Sequence, residues 1–83
     1  MKKIIIYSLK VCPYCVKAKN LLKQRGLAFE ETMMDDWSDQ QWEDQEKKNG
    51  MKTAPQIYAG DRLIGGYSDL EALDQLDQLT SLK

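Results

Sequence analysis

The sequence predicts a three-layer α/β domain built on a small mixed sheet. Apolar periodicity gives the element order β-α-β-α-β-β-α. The first two strands are joined through a helix and are expected to be parallel, whereas the last two are separated by two residues and are expected to form an antiparallel hairpin. The 83 residues, 42% hydrophobic and 30% charged, suit one globular domain covering 1–83.

Each element has a local cause. Ile4-Ile5-Ile6-Tyr7 is a short β-branched run, expected as a strand at about 2–8 buried on both faces. Pro13 suits the first turn of a helix. Cys15, Ala18 and Leu22 then recur at helical spacing until Gly26 offers a stop, which sets a helix at about 13–25. Weak alternation from Leu27 to Met34 places a strand at about 28–33. Ser38 followed by Gln41 reads as a capping box, and Gly50 can close the helix it opens. Gln56–Ala59 and Arg62–Ile64, with Gly60-Asp61 between them, have the spacing of a tight hairpin. Ser68 and Glu71 read as a second capping box, followed by Leu70, Leu73, Leu76, Leu79 and Leu82 as an apolar stripe, so a last helix is expected over about 69–81.

Composition then removes whole classes of chemistry. There is no histidine, which excludes Ser-His-Asp and Cys-His catalysis and imidazole metal ligands together. Two cysteines cannot complete a four-thiolate zinc site within one chain. The N-terminal apolar run stops at Lys10, too short to export or to span a bilayer, so no membrane association and a cytoplasmic location are expected. In that compartment a close cysteine pair points to redox or metal chemistry rather than a structural bridge.

The net charge of −1 conceals an asymmetry: residues 1–25 carry seven bases and no acid, and residues 26–46 carry eight acids and no base. The basic block surrounds the cysteines. It reads either as solvated faces or as a field that draws anionic partners toward Cys12. Nucleic acid is not expected, because no aromatic residues interleave with the lysines and the acidic block belongs to the same domain. One or both of Trp37 and Trp42 are expected to pack on the sheet rather than to form a partner surface.

Cys12-Pro13-Tyr14-Cys15 lies where a buried strand meets a helix. At a helix N-terminus, unpaired N–H groups and the dipole favour a thiolate, and Lys10 adds positive charge. Both effects lower the Cys12 pKa below its reference of about 8.5. Cys15, one turn in and on the apolar face, is expected to be less exposed and less ionised. Pro13 stiffens the turn and holds the sulfurs within reach. Cys12 is therefore the expected attacking thiol and Cys15 the resolving one. The competing readings are half of a metal or iron–sulfur site shared with a second chain, and an incidental buried pair.

At these residues the chain resembles the glutaredoxin family, in particular its small dithiol bacterial-type members. Cys12-Pro13-Tyr14-Cys15 matches the family's active-site motif, Thr53-Ala54-Pro55 its Thr-Val-Pro segment with a cis-proline, and Gly65-Gly66-Tyr67-Ser68-Asp69 its Gly-Gly-x-x-Asp segment. The resemblance implies a thioredoxin-like fold and a glutathione-dependent oxidoreductase that reduces protein disulfides and glutathione mixed disulfides. Glutathione is the implied cosubstrate and no metal is expected. The implied glutathione-binding set is Lys10, Tyr14, Lys52, Thr53, Ala54, Pro55, Gly66, Ser68 and Asp69. Ala54 would pair its backbone with the cysteinyl moiety, Ser68 and Asp69 would hold the γ-glutamyl end, and Lys10, Tyr14 and Lys52 would contact or steer the glycine carboxylate.

Residue chemistry agrees with those roles: a helix N-terminus receives a carboxylate, Asp69 suits an ammonium, and Pro55 interrupts pairing where an extended peptide could add to the sheet edge. Ser68 also reads simply as a helix cap. Ala54 stands where valine is commoner, and Tyr67 where some members carry another cysteine. Partners are expected to be glutathione and disulfide-bonded or glutathionylated proteins, with the chain itself a monomer. Two rivals remain: a redoxin of the same fold served by thioredoxin reductase, and a carrier of an iron–sulfur cluster shared between two chains.

Overall fold

The structure, a computed structural model, describes residues 3–76. Lys2, Leu79, Leu82 and the predicted helix end at 81 lie outside the described residues. The elements run β1(Ile4–Ser8), α1(Pro13–Gln24), β2(Phe29–Met33), α2(Asp39–Asn49), β3(Gln56–Ala59), β4(Arg62–Gly65) and α3(Tyr67–Gln75). Together they form a thioredoxin-like α/β fold around one mixed sheet of order β2-β1-β3-β4. β1 pairs parallel with β2 and antiparallel with β3, and β3 pairs antiparallel with β4.

Strand alternation divides the packing between two faces. Ile4, Ile6 and Ile57 join Ala18 and Leu22 of α1, Leu27, and Leu70 of α3 in the apolar core. The opposite face carries Tyr7 and Tyr58, whose rings meet edge to face at 5.8 Å. Trp37 packs on Tyr7 at 5.8 Å, and Trp42 on Trp37 at 5.6 Å. Trp37 thus packs on the sheet as expected, and Trp42 packs on Trp37. β1 is not buried on both faces, however: Ile4, Ile6 and Ser8 are buried while Ile5 and Tyr7 are half-buried, because the apolar cluster takes up Ile4 and Ile6 alone of this strand and Tyr7 lies against the Trp37 and Tyr58 rings.

The turns behave as their residues dictate. After α1, Gly26 takes φ 70°, its N–H bonds the Lys23 carbonyl, and the Leu27 N–H bonds the Leu22 carbonyl at 2.9 Å. This is a Schellman stop, possible because glycine bears no Cβ penalty in the left-handed region. α2 opens with the predicted reciprocal box, Ser38 Oγ accepting from the Gln41 N–H and Gln41 Oε1 from the Ser38 N–H, and it stops at Gly50. Gly60 supplies the positive φ of the β3–β4 hairpin, and an irregular register at Ile57/Tyr58 leads into Gly65.

α3 departs from its prediction. It begins at Tyr67 with Gly66 as N-cap, and Ser68 lies inside the first turn rather than capping it. The cap is made from within: Asp69 Oδ2 accepts the Gly66 N–H at 3.0 Å. Asp69 and Ser68 are both polar starters, but only the carboxylate three residues past Gly66 reaches back to it. Leu70 is fully buried, whereas Leu76 is 66% exposed, so the described leucine stripe narrows toward the helix end.

The basic block meets acids across elements, two of them from the acidic block. Lys3 pairs with Glu30, Lys19 with Glu31 at 2.7 Å, and Arg25 with Asp74. The Lys19 ammonium holds the Glu31 carboxyl below its ordinary range, against a smaller opposing effect of burial.

Candidate active site

Cys12 and Cys15 stand at the β1–α1 junction and form a disulfide, with their Cα atoms 5.2 Å apart. Cys12 is the N-cap of α1 in extended conformation, Pro13 takes the first helical position, and no acid occupies the first turn. The Cys12 Sγ accepts the Cys15 N–H at 3.2 Å. That donor, with the helix dipole behind it, sits where negative charge on the Cys12 sulfur would develop when the pair is reduced. Cys15 is 1% exposed, while Cys12 is only half-buried. The two sulfurs are therefore unequal, as one attacking and one resolving thiol require.

The loop ahead of Cys12 is held from the segment that follows β2. The Lys10 N–H donates to both carboxylate oxygens of Asp35, at 3.1 and 3.0 Å. Residues around the pair are apolar and open: Val11 is 90%, Tyr14 58% and Val16 51% exposed. The Lys17 ammonium lies 5.1 Å above the Tyr14 ring.

Next to this turn opens a groove of about 330 Å³ lined by Tyr14, Thr53, Ala54, Pro55, Gly66, Tyr67 and Ser68. Its floor contains the cis Ala54–Pro55 peptide. Pro55 precedes β3, a central strand, so the expected sheet edge is instead the open end of an interior strand. Tyr14 and Tyr67 form one side with ring centroids 6.0 Å apart. The Tyr67 hydroxyl donates to Glu71 at 3.1 Å, and this bond raises the phenol's pKa above its ordinary value.

Six of the nine residues assigned to glutathione thus line one cavity. The other three stand apart from it. The Lys10 side chain is exposed, with no ion-pair partner among the described residues. Lys52 pairs with Glu46 at 3.2 Å and lines a separate cleft with Asp39, Trp42 and Glu43. Asp69 is engaged at the Gly66 N–H. Sequence reading missed Tyr67 as a wall, Asp35 as the anchor of the Lys10 backbone, and Gln56 beneath the floor; Tyr67 stands at a variable position inside a matched motif, while the other two carry no local signal. Among the described residues no group of three or more His, Cys, Asp or Glu is arranged to hold a metal ion. No helix there is long and apolar enough to cross a membrane.

Comparison with known proteins agrees with this geometry. A glutaredoxin from Pseudomonas aeruginosa is 38% identical over 82 residues, covering 99% of this chain and 96% of that protein. The solution structure of the dithiolic glutaredoxin 2-C-Grx1 of Trypanosoma brucei brucei superposes with a TM-score of 0.86 at 35% identity, over 98% of this chain and 86% of its own. A buckwheat glutaredoxin–glutathione complex shares the fold at a TM-score of 0.87 and 23% identity, over 95% of this chain and 74% of its own. The sequence pattern of the glutaredoxin family matches residues 4–64, a span that contains the unequal cysteine pair and the cis-proline floor. With that chemistry at the helix end and that pattern along the chain, the protein is a thiol–disulfide oxidoreductase and belongs to the glutaredoxin family.

Proposed function

We propose that the chain uses glutathione to reduce glutathione mixed disulfides and protein disulfides. The observation that carries this reading is the half-buried Cys12 sulfur on the Cys15 amide, beside a groove of a size for a short extended peptide. With a mixed disulfide, the Cys12 thiolate attacks the glutathione sulfur, and the substrate leaves as a thiolate that takes a proton. A second glutathione thiolate attacks the bound glutathione sulfur, which frees Cys12 and releases glutathione disulfide. With a protein disulfide, Cys12 forms a mixed disulfide and Cys15 then attacks the Cys12 sulfur. The partner leaves as a dithiol, and the Cys12–Cys15 bond remains for two glutathione molecules to reduce.

The groove supplies positioning. The Ala54 backbone pairs with the cysteinyl unit, Thr53, Pro55 and Gly66 shape the walls, and Ser68 and Asp69 face the γ-glutamyl end. Tyr14, Lys10 and Lys52 serve the glycine carboxylate. Lys52 must exchange Glu46 for the ligand, which is feasible because exposed pairs contribute only about 0–1 kcal/mol. The chain acts as a monomer in a reducing cytoplasm on glutathionylated and disulfide-bonded proteins.

The test is turnover of a small glutathione mixed disulfide with glutathione and glutathione reductase as the regenerating system. Turnover is expected there. Activity only with thioredoxin reductase as donor would overturn the reading.

A further inference from the structure

We infer that Gln56 is a positioning residue that sets the groove floor from beneath, through amides of α2. This inference rests on the glutathione reading above. Gln56 is fully buried at the start of β3. Its Oε1 accepts from Gln45 Nε2 at 2.9 Å and from Asn49 Nδ2 at 3.0 Å. Its Nε2 donates to the Thr53 carbonyl at 3.0 Å and, at 3.5 Å, to that of Met51. Both donors and both acceptor positions of one primary amide are thereby used.

The direction of these bonds matters. Two bonds come from α2, and two go to the backbone just before Ala54. Asn49 strengthens the same bridge by accepting the Met51 N–H at 2.8 Å and donating to the Tyr58 hydroxyl at 3.0 Å. α2 buries no residue fully, and beside the ring contact of Trp42 with Trp37 this bridge joins it to the backbone that leads into the floor. A buried amide that loses its partners leaves carbonyls unsatisfied, and the 51–54 backbone would turn to find others. The orientation of the Ala54 backbone groups, one residue beyond the Thr53 carbonyl, is what the bridge controls. Cys12 and its helix end are held independently, by the α1 turn and Asp35.

The effect therefore belongs in ligand binding rather than in the sulfur chemistry. Gln56→Met keeps the length of the side chain and removes all its hydrogen bonds. It is expected to raise KM for the glutathione mixed disulfide about fivefold, with kcat changed less than about twofold. The rate of iodoacetamide alkylation at reduced Cys12 is expected to stay at the wild-type value. Gln45→Ala removes a single bond from the half-buried side of α2 and is expected to raise KM about twofold in the same sense. A folded Gln56→Met with wild-type KM would overturn the inference, as would parallel losses in KM, kcat and alkylation rate. Should Gln56→Met fail to fold, an unchanged KM in Gln45→Ala overturns it alone. A wild-type chain that turns over no glutathione mixed disulfide fails the glutathione reading itself, and the inference with it.

Discussion

Asp35 grips the Lys10 backbone N–H with both carboxylate oxygens, across 25 residues of sequence, and so ties the segment after β2 to the loop that delivers Cys12. The charge-assisted bond restrains a loop whose side chains are otherwise exposed. Asp35→Ala is expected to lower stability by about 1–2 kcal/mol and to slow turnover several-fold, while Asp35→Asn, which keeps one acceptor, loses less. Urea midpoints and steady-state rates on the three proteins check this ordering.

Arg25 closes α1 onto α3 through two parallel bonds to Asp74, at 2.6 and 2.9 Å. The guanidinium holds the Asp74 carboxyl below its ordinary value, with burial opposing weakly. A depressed folded pKa contributes stability above the unfolded pKa of about 4 and loses it as pH falls through the folded value. Asp74→Asn is therefore expected to lower the urea midpoint at pH 7, with the difference from wild type disappearing near pH 2. A difference that persists unchanged into acid would contradict the sign.

Gly65 and Gly66 look equivalent in sequence and are not equivalent in space. Gly65 has φ 124°, and a Cβ there would collide with the Asp69 carboxylate that caps α3. Gly66 has φ −91°, and its added Cβ would rest 3.7 Å from the Pro55 carbonyl oxygen. Gly65→Ala is expected to cost more than about 1 kcal/mol and Gly66→Ala clearly less. Thermal melts of the pair decide it; equal losses would refute the role given to the Asp69 cap.

The unequal burial of the two sulfurs predicts separable activities. Cys12→Ser is expected to abolish both reactions, whereas Cys15→Ser retains reduction of a small glutathione mixed disulfide within about threefold and loses reduction of protein disulfides by more than about tenfold. Parallel assays with the two substrate types measure the split.

The fold was legible where local chemistry and tertiary packing agree. Pro13, Gly26, Ser38-x-x-Gln41, Gly50 and Gly60 each mark a boundary that the structure keeps to within a residue. The α3 start was misread because Ser68 and Asp69 offer competing caps, and the choice depends on the irregular β4 end that presents Gly66 to Asp69. At the site, the cysteine pair and the cis-proline segment are contiguous motifs and can be read directly. Asp35 and Gln56 act through bonds to residues from three to 25 positions away, whose meeting depends on where the sheet places β2 and α2. Lys52 shows the converse: its charge suggests a ligand, while the fold gives it Glu46.

The attachment of α2 through half-buried amides and one indole also orders the ways in which the molecule opens. α1 is anchored by Cys15, Ala18 and Leu22, so exposing its backbone requires giving up much of the apolar core. α2 has no fully buried residue, only the Trp42 ring on Trp37, and water can substitute for the partners of Gln45 and Asn49 as readily as it solvates any amide. Native-state deuterium uptake is therefore expected to run faster in α2 than in α1. The helix beneath the groove floor would breathe while the helix that carries the cysteines stays shut.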